Sequence, residues 1–280
     1  MSSRARSALA AAVGLLLATT LGACSDDEPA EPAPTTPTAT PTPPPAATAV
    51  PAPSADACYR LSYRQAVSPT NGARAVPCRR PHTAETFAVG ELDNVVAGHL
   101  LAVDSERVQT AVATTCPERL GDFVGGSLDD QRLSMLRAVW FTPSLERSAA
   151  GASWFRCDVV ASAGAESLIE LTGSLRQVLD DEEGRERYAM CGTTSPDADD
   201  FERVPCAGEH SWRAISVVDL GDGEFPGRDA VTDAAAGCED DAEAQASDAL
   251  DYRWSAEGPN AEQWATGQTF VRCWMPEADR

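Results

Sequence analysis

The sequence contains no lysine and only three histidines in 280 residues, and its basic side chains are all arginine. There are 22 arginines against 43 acidic residues, so the net charge is −21. A phosphate backbone requires a basic protein surface, and this charge therefore argues against nucleic acid as a partner. The fold class and the covalent framework are better indicated than any molecular activity.

Long apolar runs are missing after residue 23, so we expect no second membrane-spanning segment. The sequence also lacks Gly-x-Ser-x-Gly, His-Glu-x-x-His and a phosphate-binding glycine loop. These absences leave no recognisable catalytic or cofactor motif. We accordingly expect a protein that is not an enzyme and that carries no cofactor and no metal.

The N-terminus has the features of an export signal. Arg4 and Arg6 precede an apolar stretch, residues 7–23, which ends in small residues directly before Cys24. The letters LGAC are typical of bacterial lipoproteins, in which such a cysteine is lipidated and becomes the mature N-terminus. We predict a signal peptide over residues 1–23 and a lipid anchor on Cys24, which places the chain on the outer face of the cytoplasmic membrane. The alternative is an ordinary cleaved signal that happens to end beside a cysteine.

Residues 24–56 are rich in proline, threonine and alanine. Residues 25–56 hold 10 of the 20 prolines, a composition that cannot pack a core and that favours extended polyproline II conformations. We predict a disordered linker here, acting as a stalk or as a simple tether.

Eight further cysteines form two sets of four with similar spacing. The intervals are 20, 38 and 41 residues in the first set and 15, 32 and 35 in the second. Val-Pro-Cys-x3-His occurs in both, ending at His82 and at His210, and an alternating apolar run follows each. The two sets are Cys58, Cys78, Cys116 and Cys157, then Cys191, Cys206, Cys238 and Cys273. The pattern indicates a tandem duplication.

We therefore predict an α+β fold of two small disulfide-bonded modules, each a short antiparallel sheet with one main helix. The modules are residues 57–179 and 188–280, joined by an acidic linker at residues 180–187. In the first module we expect strands near 58–63, 73–78, 85–92, 134–141 and 153–161. The first helix should begin near Asp104 or Ser105, and Asp229 is a candidate cap for the second.

The acidic residues are distributed unevenly. Residues 57–179 have a net charge of −1, whereas residues 188–280 have a net charge of −14. Either the first module faces an anionic membrane or wall polymer, or the acidic surface only keeps the protein soluble.

An even number of cysteines in an exported chain indicates disulfides. We favour the pairs Cys58–Cys78, Cys116–Cys157, Cys191–Cys206 and Cys238–Cys273, although four cysteines per module allow three connectivities. Zinc is the alternative, since each Cys-x3-His pair offers two ligands and Cys58 and Cys116 could complete one site. A catalytic cysteine–histidine pair is another, which needs a free thiol of low pKa.

Three further side chains are candidates for a ligand-binding or a structural role. His82 and His210 could sense pH or bind a ligand, or each could simply bond to nearby backbone in a turn. Glu85 could orient His82, but Arg213 takes the matching position in the second half.

These motifs together resemble a known family. The lipobox, the Pro/Thr-rich linker, VPCRRPHTAE, the helix cysteine, WFRC and LTGSLRQ are similar to the septum formation domain of actinobacterial envelope proteins. The second half resembles that domain through VPCAGEH, FPG and FVRC, but it lacks the glutamate after histidine and the LTGS tail. The resemblance implies a link to septum formation or cell division and no defined biochemical activity.

We therefore expect a lipid-anchored protein with a non-catalytic binding or scaffolding role in the cell envelope. Its partners would be the membrane, through the anchor, and envelope or divisome proteins or cell-wall polymer. The alternatives are an envelope enzyme or a small-ligand-binding lipoprotein that uses the cysteine and histidine positions.

Overall fold

The alternating residues around the WFRC motif form a central strand of the first antiparallel sheet. The computed structural model describes residues 50–279, and its first half contains six strands and four helices. The strands are β1 (Cys58–Tyr59), β2 (Ala84–Glu91), β3 (Val95–Val96), β4 (His99–Leu100), β5 (Leu136–Phe141) and β6 (Trp154–Ala161). The helices are α1 (Tyr63–Ala66), α2 (Glu106–Val124), α3 (Leu128–Arg132) and α4 (Leu145–Ala149).

The second half contains five strands and four helices, the longest of which has 9 residues against the 19 of α2. Its strands are β7 (Met190–Gly192), β8 (Arg203–Pro205), β9 (Trp212–Asp219), β10 (Ser255–Glu257) and β11 (Phe270–Pro276). Its helices are α5 (Glu182–Arg187), α6 (Arg228–Ala235), α7 (Gly237–Gln245) and α8 (Ala261–Ala265). The predicted α+β class is confirmed. Within residues 50–279, no helix has the length and apolar character needed to cross a membrane.

The two main sheets share strand order and register. The first is ordered β1-β2-β6-β5, and the second contains the corresponding run β7-β9-β11-β10, with β8 added beside β7. Ala88 lies opposite Cys157, and Ser216 lies opposite Cys273 at the matching position. Both ladders also skip one residue at the same place, Phe87 in β2 and Ile215 in β9, which is a β-bulge. The two sheets thus share this irregularity as well as their strand order.

Helix α2 covers one face of the first sheet. Ser105 is its N-cap, as predicted, and Val108, Val112 and Cys116 are buried on one stripe. In the second half the matching helix is split into α6 and α7, and the cap is not Asp229 but Gly227. Gly227 has a φ of 93°, which favours glycine, so the turn geometry rather than a side-chain oxygen sets this helix start.

Three predicted elements differ from the structure. The strand predicted near 58–63 is reduced to Cys58–Tyr59, and helix α1 begins at Tyr63. Residues 73–78 contribute only an isolated bridge, Val76 to Cys58, instead of a strand. Residues 180–187, predicted as an acidic linker, contain helix α5, in which the Asp181 side chain accepts a hydrogen bond from the Gly184 amide at 2.7 Å. Gly184 is buried, so this segment packs closely against the first half despite its charge.

The two halves form one compact unit with a shared cluster of buried residues. Met135 of the first half packs with Met190 and Trp274 of the second. An isolated β-bridge joins Ser134 to Ala189. The signal peptide, Cys24 and the linker as far as residue 49 lie outside the described residues.

Candidate functional site

Each Val-Pro-Cys-x3-His motif forms a disulfide-closed turn that ends on histidine. In the first half, Cys58 is bonded to Cys78, and His82 pairs its backbone with Leu171. The His82 ring is fully buried, and its Nδ1 lies 2.8 Å from the Arg80 carbonyl oxygen. Because a carbonyl only accepts, Nδ1 must carry the proton. Nε2 has no hydrogen-bond partner among the described residues.

The second half repeats this arrangement in a more open setting. Cys191 is bonded to Cys206, and His210 Nδ1 lies 2.8 Å from the Gly208 carbonyl oxygen, again two residues upstream. The His210 Nε2 lies 4.0 Å from a carboxylate oxygen of Glu277. In both halves the histidine Nδ1 therefore stabilises the turn that precedes a long strand, β2 or β9.

Glu85 is buried and holds the tail of the first half. One carboxylate oxygen accepts a hydrogen bond from the Ser174 hydroxyl at 2.6 Å, and the other accepts from the Leu175 amide at 2.6 Å. The matching residue of the second half, Arg213, forms a two-pronged ion pair with Glu186, at 2.6 and 2.9 Å. The position thus binds a neighbouring segment in both halves, with opposite charge in each.

The zinc and nucleophile alternatives both depend on thiolates. Cys58, Cys78 and Glu85 lie within 4.8 Å of one another, as measured between ligand atoms, and so do Cys191, His210 and Glu277. The sulfurs in both groups are in S–S bonds, and a disulfide sulfur is not a thiolate ligand or nucleophile. The other two bonds join Cys116 to Cys157 and Cys238 to Cys273, so all four favoured pairs are present.

A buried ion pair that the sequence analysis did not identify lies beside Cys157. Arg156 Nη2 lies 2.9 Å from Asp158 Oδ2, and the Thr86 hydroxyl donates to Asp158 Oδ1 at 2.7 Å. The Arg156 guanidinium lies over the rings of Tyr59 and Phe141, at 4.0 and 4.5 Å from their centroids. Burial raises the pKa of Asp158 to about 6, and the charge of Arg156 opposes that rise.

Four arginines meet where the two halves join, and sequence reasoning did not single them out. We call them the junction arginines: Arg132, Arg137, Arg203 and Arg272. Two of them hold one carboxylate. Arg203 donates from Nε to Glu257 Oε2 at 3.2 Å and contacts Oε1 through Nη2, while Arg272 Nη1 donates to the same Oε2 at 3.3 Å. Glu257 is largely buried, and its single negative charge pairs with two guanidinium groups.

The other two junction arginines connect this group to the first half. Arg132 binds Asp219 at 2.7 Å, and its carbonyl oxygen accepts from Arg272 Nε at 3.1 Å. The guanidinium groups of Arg132 and Arg272 both lie over the ring of Phe270, at 4.4 and 4.9 Å from its centroid. Among residues 50–279, Arg137 donates only to the backbone carbonyls of residues 134 and 136, at 2.8 and 2.6 Å.

The positions of these groups are set by the sheets. Arg272 is on β11 and Glu257 is its registered neighbour on β10, while Arg203 is on the edge strand β8. Arg137 is on β5, at the other side of the junction. The residues involved are up to 140 apart in sequence, so no local motif could have indicated the cluster.

Comparison with known proteins gives one match, to a family profile. Neither the curated proteins nor the solved structures contain a match. The family profile described as Septum formation matches residues 55–273, a single stretch that covers both halves and all eight disulfide cysteines. The chain therefore belongs to the Septum formation family.

Proposed function

We propose that this chain is a non-catalytic binding or scaffolding protein of the cell envelope that acts in septum formation. The observation that carries the proposal is the family match over residues 55–273. A lipid on Cys24 would hold it at the outer face of the cytoplasmic membrane, as in actinobacterial lipoproteins, with residues 24–56 as the tether.

The disulfide framework supports this location. Four S–S bonds close loops whose cysteines are 15 to 41 residues apart. Each should stabilise the fold by about 3–4 kcal/mol through the unfolded chain, and such bonds persist in oxidising compartments. The apolar segment that ends at Cys24 supplies the matching export signal.

The use of the reactive side chains supports a non-catalytic role. The thiols of both turns are oxidised, His82 and His210 bond to backbone through Nδ1, and Glu85 binds the tail segment. These contacts are structural. They occupy the cysteine, histidine and glutamate side chains that the enzyme and metal alternatives would need. Two tandem domains derived from one ancestor remain part of the proposal, supported by the shared strand order and the shared bulge.

We propose envelope or divisome proteins, or cell-wall polymer, as partners. The test is cross-linking in intact cells followed by pull-down, comparing full-length chain with a Cys24→Ala variant. Enrichment of division or wall-synthesis proteins with the wild type, reduced for Cys24→Ala, is the expected result. Recovery of the same set from both forms would contradict anchoring through Cys24, and a set without envelope proteins would contradict the role.

Free-thiol titration of the unfolded, membrane-purified protein separates this role from the enzyme alternative. We expect no titratable thiol, with an intact mass eight hydrogens below the reduced form plus an acyl increment. Two or more thiols per chain would favour the enzyme or zinc alternative.

A further inference from the structure

The junction arginines carry more positive charge than their carboxylate partners balance. Glu257 and Asp219 are the close acidic partners of these four guanidinium groups, with Asp129 a more distant contact of Arg132 at 3.9 Å. Within residues 50–279, no carboxylate forms an ion pair with Arg137. This excess occurs in a chain whose net charge is −21, at the edge of its acidic half.

Several guanidinium donors at the junction remain unused. Toward the described residues, Arg137 donates only through Nη1. Arg203 leaves its Nη1 without a hydrogen bond to them, and Arg272 leaves its Nη2. The Arg203 side chain keeps 36% of its surface exposed, so solvent reaches the cluster from that side. Arg137 is partly buried, and the Arg272 side chain is only 7% exposed.

The electrostatics agree with the geometry. Burial, followed by the charges of Arg272 and Arg203, lowers the pKa of Arg137 to about 9. Burial lowers the pKa of Arg203 and of Arg272 to about 10, and a neighbouring arginine adds to each shift. All of them remain protonated at pH 7, so the fold holds mutually repelling cations close together. A bound anion would relieve that repulsion.

We propose that the junction arginines form a binding site for a phosphate group. The site is centred on Arg203 and Arg272, which both bind Glu257, and on Arg137, whose charge interacts with those two arginines from a strand of the first half. This inference rests on the binding role proposed above, for which it names a ligand class.

A phosphate fits this arrangement better than a second carboxylate does. A guanidinium presents planar pairs of donors, and a tetrahedral phosphate offers oxygens in several directions at once. The unused donors belong to three arginines on separate strands, whereas a carboxylate presents its two oxygens in one plane, as Glu257 does to Arg203 and Arg272. The source of the phosphate is either a soluble or polymer-borne group or a lipid headgroup.

The test is calorimetric titration of the purified full-length chain with inorganic phosphate at pH 7 and fixed ionic strength. We expect saturable binding to the wild type that is at least about tenfold weaker in Arg137→Gln, because a charge-assisted hydrogen bond is lost. Arg137→Gln is chosen because, in the described part of the chain, the native side chain bonds only to backbone carbonyls. Arg203→Gln is the second variant, with the same expected loss, should the first fail to fold.

The matched control is Arg107→Gln. Arg107 is an exposed arginine of helix α2 that forms no ion pair with residues 50–279, and the variant should bind phosphate as the wild type does. Vesicles containing phosphatidylglycerol distinguish the sources: Arg137-dependent sedimentation assigns a lipid headgroup, and phosphate binding without sedimentation assigns a soluble or polymer-borne group. Absence of saturable phosphate binding to the wild type, or equal affinity in Arg137→Gln and Arg107→Gln, overturns the inference. Neither result affects the cross-linking test of the septal role.

Discussion

The substitution Asp158→Asn should remove a pH-dependent loss of stability from the first half. Asp158 is fully buried, and burial raises its pKa from the ordinary value of 3.8 to about 6. The folded chain therefore binds this proton more tightly than the unfolded chain does. The contribution of the protonated group to stability is complete below about pH 3.8, decreases as the pH rises toward 6, and is constant above that value.

The magnitude follows from the difference in pKa. One pKa unit corresponds to about 1.4 kcal/mol, so a difference of roughly two units corresponds to about 3 kcal/mol. Asparagine cannot ionise, and its oxygen can still accept a hydrogen bond from Thr86. Arg156 keeps its contacts with the rings of Tyr59 and Phe141. We expect Asp158→Asn to match the wild type near about pH 3.5 and to exceed its free energy of unfolding by up to about 3 kcal/mol near about pH 7.5.

The assay is guanidinium denaturation of the oxidised protein across this pH range, with the two forms compared at each pH. The difference between the curves cancels the titration of the other carboxyl groups. Asp93→Asn, which removes one exposed negative charge, serves as the control. Should Asp158→Asn be the less stable form near about pH 7.5, the attraction of Arg156 exceeds the cost of desolvating the carboxylate, and the reasoning is refuted.

Two further predictions concern the close packing at Gly184 and the hydrogen bonds of Glu85 to residues 174 and 175. Gly184→Ala should destabilise the chain by about 2–4 kcal/mol, because the added methyl group would overlap the Val178 carbonyl oxygen. The control is Gly72→Ala, whose methyl group has open space and which should change stability little. Thermal unfolding of both variants checks this, and equal melting temperatures would contradict it. Glu85→Gln should lower the free energy of unfolding by about 1–3 kcal/mol and speed hydrogen exchange of the Leu175 amide, which donates to the Glu85 carboxylate at 2.6 Å. Unchanged exchange would show that Glu85 does not hold the segment that contains Leu175.

The features that were predictable from the sequence are those encoded locally. Cysteine spacing indicated the disulfide framework, and period-2 alternation located β2, β5 and β6 to within two residues. The stripe of Val108, Val112 and Cys116 located α2 through its 3.6-residue period. Each of these signals depends on residues that are neighbours in the same element.

The features that were missed depend on tertiary contacts. All eight residues of β6 are buried, so alternation along this strand gave no sign that Asp158 would lie inside. Helix α5 was interpreted as a linker because its contacts with the first half are made by Gly184, which has no side chain, and by the charged Arg185, so the sequence shows no apolar face. The junction arginines are brought together by both sheets, and no spacing distinguishes four of 22 arginines.

The order of the disulfides has a consequence for biogenesis. In the described chain the eight cysteines pair two by two in sequence order, so no bridge encloses or crosses another. In the export proposed for this chain, the second sulfur of each pair would emerge before any later one could compete with it. An oxidase that joins thiols in order of arrival would thus produce the native connectivity directly, and maturation of this chain should proceed without a disulfide isomerase.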